Sequence, residues 1–183
     1  MSTDLTSLSG DYTIDASHTT LGFVARHAMI TKVRGSFTDF SGEAHLDGAN
    51  PSASSVEVTI NVDSVDTRSK QRDEHLRTAD FFEIEKYPTI TFKSTAVKLV
   101  DDSHVQITGD LTIKDVTKPV TIVFEFTGAA TDPFGNHRIG FEGSLDVNRK
   151  DWGLTWNAAL EAGGVLVSEK IKLEFEVSAI KKA

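Results

Sequence analysis

Histidine is the residue whose chemistry is easiest to judge from spacing in this sequence, because near neutral pH it serves as a base, a proton shuttle or a metal ligand. The six histidines are His18, His27, His45, His75, His104 and His137. No two have the His-x-x-x-His spacing of a helical metal site, and the chain contains no cysteine. We therefore expect no metal site, no disulfide and no thiolate chemistry.

Motifs for nucleophilic catalysis are also absent from the sequence. A Ser-His-Asp triad assembles in space, so spacing does not exclude one, but no Gly-x-Ser-x-Gly turn and no phosphate-binding glycine loop occurs. The aspartates and glutamates fall in turns or on the polar side of alternating segments, where a solvated carboxylate is expected. We predict no catalytic residue and no cofactor.

His27 stands apart from the other histidines. It shares a period-two alternation with Leu21, Phe23, Ala25 and Met29. A histidine on an apolar face is more often a core residue bonded to the backbone than a ligand contact. Two interpretations stay open here, a core histidine and a contact to the head group of a ligand.

The elements that would position these residues are β-strands. Apolar and polar residues alternate at 21–29, 56–62, 105–113, 120–126, 139–147 and 171–177, with shorter stretches at 12–14, 37–46 and 90–99. Turn residues separate these stretches, which predicts about eight or nine strands, each with one buried face. A sheet of that size with one apolar face closes into a barrel or folds into a sandwich.

The segment RDEHLRTADFFEIEKYPTITF, residues 72–92, interrupts the alternation. Leu76 and Ala79 are three residues apart, which predicts a short helical segment near residues 68–80. Asp66, Thr67 and Ser69 are the candidate N-caps. Asp73 and Arg77, four residues apart with the acid first, are expected to pair, and the charges of the helix are expected to face water.

Phe81 and Phe82 follow this helical segment directly. Two adjacent residues cannot both face the interior from one strand, so the pair is expected to pin the helix over one end of the β-structure. The segment is then either a structural plug or the movable cover of a ligand cavity. Both alternatives predict the same contacts in the absence of a ligand.

Phenylalanine is unusually frequent, with eleven Phe against two Tyr and two Trp. A barrel of eight strands is just wide enough to be filled by side chains or to hold one ligand. Phe23, Phe92, Phe124 and Phe141 have inward parity, and the neighbouring glycines at 109 and 143 are expected to leave gaps on the same faces. This pattern predicts an apolar slot inside the barrel.

Composition and the first residues of the chain limit the domain organisation and the partners that we expect. The 183 residues favour one domain, which we place at 11–183 after a tail at 1–10. A net charge of −8 disfavours nucleic acid and anionic membranes as partners. No stretch is long and apolar enough for a membrane span, and MSTDLTSLSG is no secretory signal. We expect a cytoplasmic protein without stable membrane insertion.

Four stretches together resemble one known family. They are TTLGFVARHAMITKVRGSFTDFSG, RDEHLRTADFFEIEKYPTITFKS, GDLTIKDVTKPV and RKDWGLTWN. In this order and spacing they resemble the YceI-like family, also called the polyisoprenoid-binding, lipocalin-like family, over residues 11–177. The resemblance implies an all-β, lipocalin-like, eight-stranded antiparallel barrel with a short helical segment. Many relatives resemble exported proteins with an N-terminal signal, and this start differs from theirs.

The resemblance also implies a function. The interior of such a barrel holds a long isoprenoid chain, such as a polyprenyl or isoprenoid-quinone tail, and the family has no general catalytic activity. We predict non-catalytic binding, storage or transport of such a lipid. The predicted ligand contacts are Phe23, His27, Met29, Phe81, Phe82, Phe92, Phe124, Phe141 and Trp152.

Two other classes of function stay open. One is an enzyme that acts on an isoprenoid-like lipid, with His27 or a neighbouring carboxylate as the acid–base group. The other is a barrel with a filled core that binds only protein partners. The sequence is also compatible with a homodimer.

Overall fold

A computed structural model describes residues 5–160 and 164–183 of the chain. Within these residues it contains eleven strands and one α-helix. The strands are β1 (Gly10–Ile14), β2 (Thr20–His27), β3 (Thr31–Phe37), β4 (Phe40–Leu46), β5 (Ser55–Asn61), β6 (Val65–Asp66), β7 (Thr89–Leu99), β8 (His104–Ile113), β9 (Val116–Thr131), β10 (His137–Asn148) and β11 (Lys170–Lys181). The helix is α1 (Lys70–Arg77).

The sheet closes on itself as an antiparallel barrel. Its ring runs β1-β4-β5-β7-β8-β9-β10-β11, and β11 pairs again with β1. β2 continues β1 along the same edge of β11, and β3 runs on into β4 after a two-residue break, so each pair acts as one interrupted strand. β6 extends β5 and pairs with β3. Counted this way, the barrel has eight strands, and the predicted fold is confirmed.

The two ends of the barrel differ in what covers them. At one end, here named the helix end, lie α1, residues 78–88 and residues 149–160 and 164–168. The opposite end, here named the far end, carries the turns at 47–54, 100–103 and 132–136. Each of the eight strands counted this way therefore runs between the helix end and the far end.

Two buried clusters lie at these ends. The helix-end cluster consists of Val62, Phe81, Ile90, Leu111, Trp152 and Leu154. The far-end cluster consists of Tyr12, Ile139 and Ala179. Burial of these side chains removes apolar surface from water and supplies the main favourable free energy of folding. The interior between the two clusters is therefore the part of the barrel available to a ligand.

Residues 5–9 contact the far end of the barrel. Leu5–Leu8 forms a 3-10 turn, and the Tyr12 hydroxyl donates to the carbonyl of Leu8 at 2.7 Å. The backbone N–H of Gly48 donates to the Ser9 hydroxyl at 2.9 Å. The domain boundary at residue 11 stays a prediction, and residues 1–4 of the predicted tail lie outside the described residues.

α1 is shorter than predicted and differs in its polar contacts. The Ser69 hydroxyl caps it by accepting from the N–H of Arg72 at 3.4 Å. Asp73 is buried and accepts from the N–H of Thr67 at 2.9 Å and from the Thr67 hydroxyl. The expected Asp73–Arg77 pair is wrong, because the buried carboxylate is satisfied by Thr67 while Arg77 pairs with Asp63 at 2.9 Å.

Candidate functional site

A cavity of about 360 Å³ lies inside the barrel and extends from one end to the other. Its wall is formed by inward-facing Leu, Ile, Val and Phe side chains from all sides of the barrel. A volume of this size lies within the roughly 300–1,000 Å³ typical of small-molecule sites. The described residues therefore enclose an apolar space and not a filled core.

The four phenylalanines predicted to face inward all line this cavity. Phe23, Phe92, Phe124 and Phe141 are each half-buried, although they point to the interior of the barrel. Partial exposure of an inward-facing ring is expected where a cavity leaves part of the ring uncovered. The structure thus brings these predicted side chains together around one space.

The neighbouring glycines act differently from what the sequence indicated. We expected Gly109 and Gly143 to leave gaps, and this is wrong. A Cβ at Gly109 would lie 2.5 Å from Cζ of Phe92, and Gly143 stands in the same relation to Phe124. The ring occupies the space that each glycine vacates. The absence of a side chain lets the ring lie against the wall and keeps the axis of the barrel open.

Aromatic side chains close the cavity at the helix end. Phe81, with 6% of its surface exposed, and Phe82 both line the cavity. Trp152 is buried and donates its indole N–H to the carbonyl of Leu111 at 3.0 Å, which joins the turn after β10 to β8. The buried indole N–H is satisfied by this bond, so Trp152 presents only apolar surface to the cavity.

A second pocket of about 460 Å³ lies outside this closure and is here named the side pocket. It opens between the β2–β3 hairpin, α1 and the residues Trp156, Leu166 and Val167. Phe23, Leu76, Phe81 and Val167 line both spaces, so single side chains separate the side pocket from the cavity. Its polar lining consists of Arg26, His27, Thr67, Ser69, Gln71, Arg72 and His75.

His27 and Met29 lie where β2 has left the barrel wall. His27 is exposed and lines the side pocket, and Met29 is 60% exposed at the tip of the β2–β3 hairpin. The expectation that both face the barrel interior is wrong. Alternation continues beyond Ala25, but the ladder with β11 ends at Val24, and His27 reaches only an isolated bridge to Val167.

A family model described as the YceI-like domain matches residues 12–179. The chain belongs to the YceI-like family. A UPF0312 protein of Pseudomonas aeruginosa (strain LESB58) is 42% identical over 178 residues, which cover 96% of this chain and 90% of that protein.

Solved structures share the fold of this YceI-like chain. A Campylobacter jejuni YCEI protein is 34% identical with a TM-score of 0.74, and the match covers 86% of this chain and 90% of that one. A domain from Saccharophagus degradans, described as a polyisoprenoid binding domain, has a TM-score of 0.71 at 17% identity, covering 93% and 98% of the two chains. At that identity the second likeness shows the fold alone.

The four stretches that carry the YceI-like resemblance meet at the helix end. The first contains the β2–β3 hairpin, the second contains α1 with Phe81 and Phe82, and the third contains the turn between β8 and β9. The fourth, residues 149–157, contributes Trp152. The stretches that carry the resemblance to the family therefore lie mostly around the closed end of the cavity and the side pocket.

Arg149 is a cavity-lining residue that the sequence prediction missed. It is buried, and its guanidinium donates to the carbonyls of Ser168 at 2.8 Å, Leu154 at 2.6 Å and Val167 at 3.3 Å. Burial lowers the pKa of the guanidinium from its usual value. Arginine is rarely buried, so the sequence gave no reason to expect Arg149 in the wall of the cavity. Its bonds fix the 149–154 turn against the strand that follows.

Further aromatic residues of the site were not predicted, among them Tyr12 and Phe126 of the cavity wall. Phe37 and Phe175 line the cavity, and Trp156 lines the side pocket, where its ring centre lies 5.4 Å from that of Phe81. Phe175 packs at 6.0 Å from Phe124. Phe175 belongs to the alternating stretch 171–177, so parity alone contained a signal for it.

Proposed function

We propose that this protein binds a long-chain isoprenoid lipid, of the polyprenyl or isoprenoid-quinone type, inside the barrel and stores or carries it. The observation that carries the proposal is the apolar cavity that extends along the barrel between the two buried clusters. A long narrow chain matches this space better than a compact molecule does. The function that we propose is binding without catalysis, in keeping with the family of this chain.

The energetics favour recognition of the chain over recognition of the head group. Burial of apolar groups contributes about 0.8 kcal/mol per CH₂, so each five-carbon unit contributes on the order of 3 kcal/mol before ordering costs. Aromatic rings at Phe23, Phe92 and Phe124 add contact surface for methyl-branched chains. We therefore expect strong dependence on chain length and tolerance of different head groups.

A likeness in fold supports the same ligand class. The Saccharophagus degradans domain that shares this fold is described as a polyisoprenoid binding domain. The present chain contributes its own support, because its cavity wall is apolar and closed at the helix end by Phe81, Phe82 and Trp152.

An enzymatic function has less support from the geometry. The side chain proposed as its acid–base group, His27, lies in the side pocket, separated from the cavity by Phe23 and Phe81. Among residues 5–160 and 164–183, no three His, Cys, Asp or Glu side chains are grouped to hold a metal ion.

Organic extraction of the purified protein followed by mass spectrometry tests the proposal. We expect a prenyl lipid in near-stoichiometric amount, with a narrow range of chain lengths. The variant Ile107→Trp fills the cavity and should retain much less lipid. Val123→Trp is the matched control, because Val123 lies on the neighbouring strand with 46% of its surface exposed.

The proposal fails if no prenyl lipid is extracted and added prenyl alcohols of several lengths do not bind. It also fails if the Ile107 and Val123 variants retain equal amounts of lipid, because binding would then lie outside the barrel. Circular dichroism on both variants establishes that each is folded.

A further inference from the structure

The tip of the β2–β3 hairpin presents two large apolar side chains to solvent. Met29 is 60% exposed and Ile30 is 77% exposed. Most surfaces carry scattered single apolar residues, but two adjacent ones at the tip of a projecting turn form a compact apolar point.

The turn holds these side chains in a fixed position. The N–H of Ala28 donates to the carbonyl of Leu166 at 2.7 Å, and the N–H of Ile30 donates to the carbonyl of His27 at 3.0 Å. Ala28 and Met29 both adopt positive φ, at 52° and 62°, which is unfavourable for residues with a side chain. Strained backbone of this kind is retained where the surrounding structure enforces it, often at functional positions.

Positive charge surrounds this apolar tip, in contrast to the net charge of the chain. Residues 16–38 contain Arg26, Lys32 and Arg34 and no aspartate or glutamate, whereas the whole chain carries −8. Arg34 is paired with Glu174 of β11 at 3.3 Å, so Arg26 and Lys32 carry the charge at the tip. Arg26 donates to the carbonyl of Ile30 at 3.2 Å, which places its guanidinium beside the tip. Lys32 is exposed and forms no ion pair within the described part of the chain.

Residues at the start of α1 add to this charge on the other side of the side pocket. Arg68 and Lys70 are exposed there, and so is Arg72, whose guanidinium donates to the hydroxyl and the carbonyl of Thr67. Asp66 and Glu74 are the exposed acids of this stretch, since Asp73 is buried against Thr67. The net charge that disfavoured an anionic membrane therefore does not describe the β2–β3 hairpin and the first turn of α1, where basic side chains flank an apolar point. Acids of the helix end, among them Asp80, Glu83 and Glu85, follow α1 in the chain.

We propose that the β2–β3 hairpin and the first turn of α1 dock on the surface of an anionic phospholipid bilayer, with Met29 and Ile30 inserted among the head groups and Arg26 and Lys32 facing the phosphates. Apolar insertion and basic residues are each weak alone and together give stable but reversible attachment. The side pocket, which only single side chains separate from the cavity, then faces the bilayer.

The docking goes beyond the proposed function, and its test uses protein and vesicles without added cargo. Co-sedimentation compares phosphatidylcholine vesicles with vesicles that also contain phosphatidylglycerol. We expect wild-type protein to bind the anionic vesicles, to bind neutral ones more weakly, and to dissociate in high salt. Failure to sediment with anionic vesicles at low salt overturns the docking while leaving lipid binding in the barrel intact.

Variants locate the docking surface. Met29→Ser combined with Ile30→Ser should weaken vesicle binding about tenfold or more. Lys32→Gln, which leaves the turn intact, should weaken it about fivefold and reduce its salt dependence. Phe134→Ser is the matched control, because Phe134 is 88% exposed in the far-end turn between β9 and β10. This control should bind like the wild type.

Other outcomes reject the proposal. Equal loss in the Phe134 variant would show that binding is not localised to the helix end. Sedimentation velocity without vesicles tests for a different occupant of this surface, a second copy of the chain. If the wild type is a dimer that does not bind vesicles and the Met29/Ile30 variant is a monomer, the surface is a contact between two copies. Unchanged vesicle binding in both the Met29/Ile30 variant and the Lys32 variant also rejects it.

Discussion

Phe124 lies across Gly143 of the neighbouring strand, and a Cβ at Gly143 would stand 2.8 Å from Cδ1 of the ring. The two residues pair directly in the ladder between β9 and β10. Such a separation is shorter than real Cβ atoms show, so any side chain at position 143 must displace the ring. The width of the cavity at this level therefore depends on a glycine.

Gly143→Ala should move the Phe124 ring toward the barrel axis and reduce the longest prenyl chain that the protein retains. The measurement is binding of prenyl alcohols of increasing length to both proteins. Adding Phe124→Leu in the same background should restore the long chains, because the smaller side chain vacates the axis. If Gly143→Ala lowers the melting temperature but leaves the chain-length profile unchanged, the ring does not limit the cavity.

The sequence predicted the barrel because alternation and closure depend on local spacing. Period-two patterns placed Phe23, Phe92 and Phe124 on the inner face correctly. The same rule failed for Met29, since parity does not reveal where a strand leaves the ladder. Arg149 was missed because its partners, the carbonyls of 154 and 167–168, come together only in the folded chain.

Other predictions from the sequence depend on facts that one chain does not contain. The cytoplasmic location and the homodimer stay predictions, and so does the role of each side chain predicted to contact the ligand. Among the described residues, no helix has the length and apolar character needed to span a membrane.

Arg138 links two carboxylates near the far end, and this predicts a pH dependence of stability. It donates to Asp15 at 2.7 Å and to Asp132 at 2.8 Å, and these bonds hold the pKa of both carboxyl groups well below their usual range. A lowered folded-state pKa stabilises the protein above the unfolded pKa of about 4, and this contribution is lost as the pH falls through the folded-state pKa.

Arg138→Gln should therefore lower the melting temperature at pH 7, and the difference from the wild type should narrow as the pH falls below about 4. Thermal unfolding between neutral and acidic pH measures it. Arg34→Gln is the control, because the Arg34–Glu174 pair at 3.3 Å is exposed and contributes little. A difference for Arg138→Gln that is equally large at acidic and neutral pH contradicts the linkage.

A substitution of His27 tests whether the side pocket contacts the head group of the ligand. His27→Leu should alter lipid retention or head-group preference while the melting temperature stays nearly unchanged, since substitutions at exposed positions usually shift stability by less than about 0.5 kcal/mol. His137→Leu, also exposed but at the far end, is the matched control. A lower melting temperature with unchanged retention would assign His27 a structural role.

The segment that follows α1 is predicted to open for entry of the lipid. α1 has only eight residues, and a helix of that length depends on its packing for stability. α1 and the residues after it are held mainly by side chains: Asp73 and Arg72 bond to Thr67, and Arg77 bonds to Asp63. Aromatic packing of Phe81 on Trp156 and of Phe82 on Phe37 adds to this. An element held mainly by side-chain contacts opens at a lower free energy than a strand with backbone hydrogen bonds on both edges.

Hydrogen exchange on the wild-type protein measures this opening without a destabilising substitution. Protection of residues 70–85 should be low in the empty protein and rise when a prenyl lipid binds, because the lipid adds contacts to Phe81 and Phe82 from inside. β9, bonded to strands on both edges around Phe124, should change less and serves as the internal reference. Replacing Phe81 and Phe82 together is a poorer test, since loss of a buried Phe alone costs about 3–5 kcal/mol. If residues 70–85 exchange as slowly as β9 in the empty protein, the segment is a fixed plug and the lipid enters elsewhere.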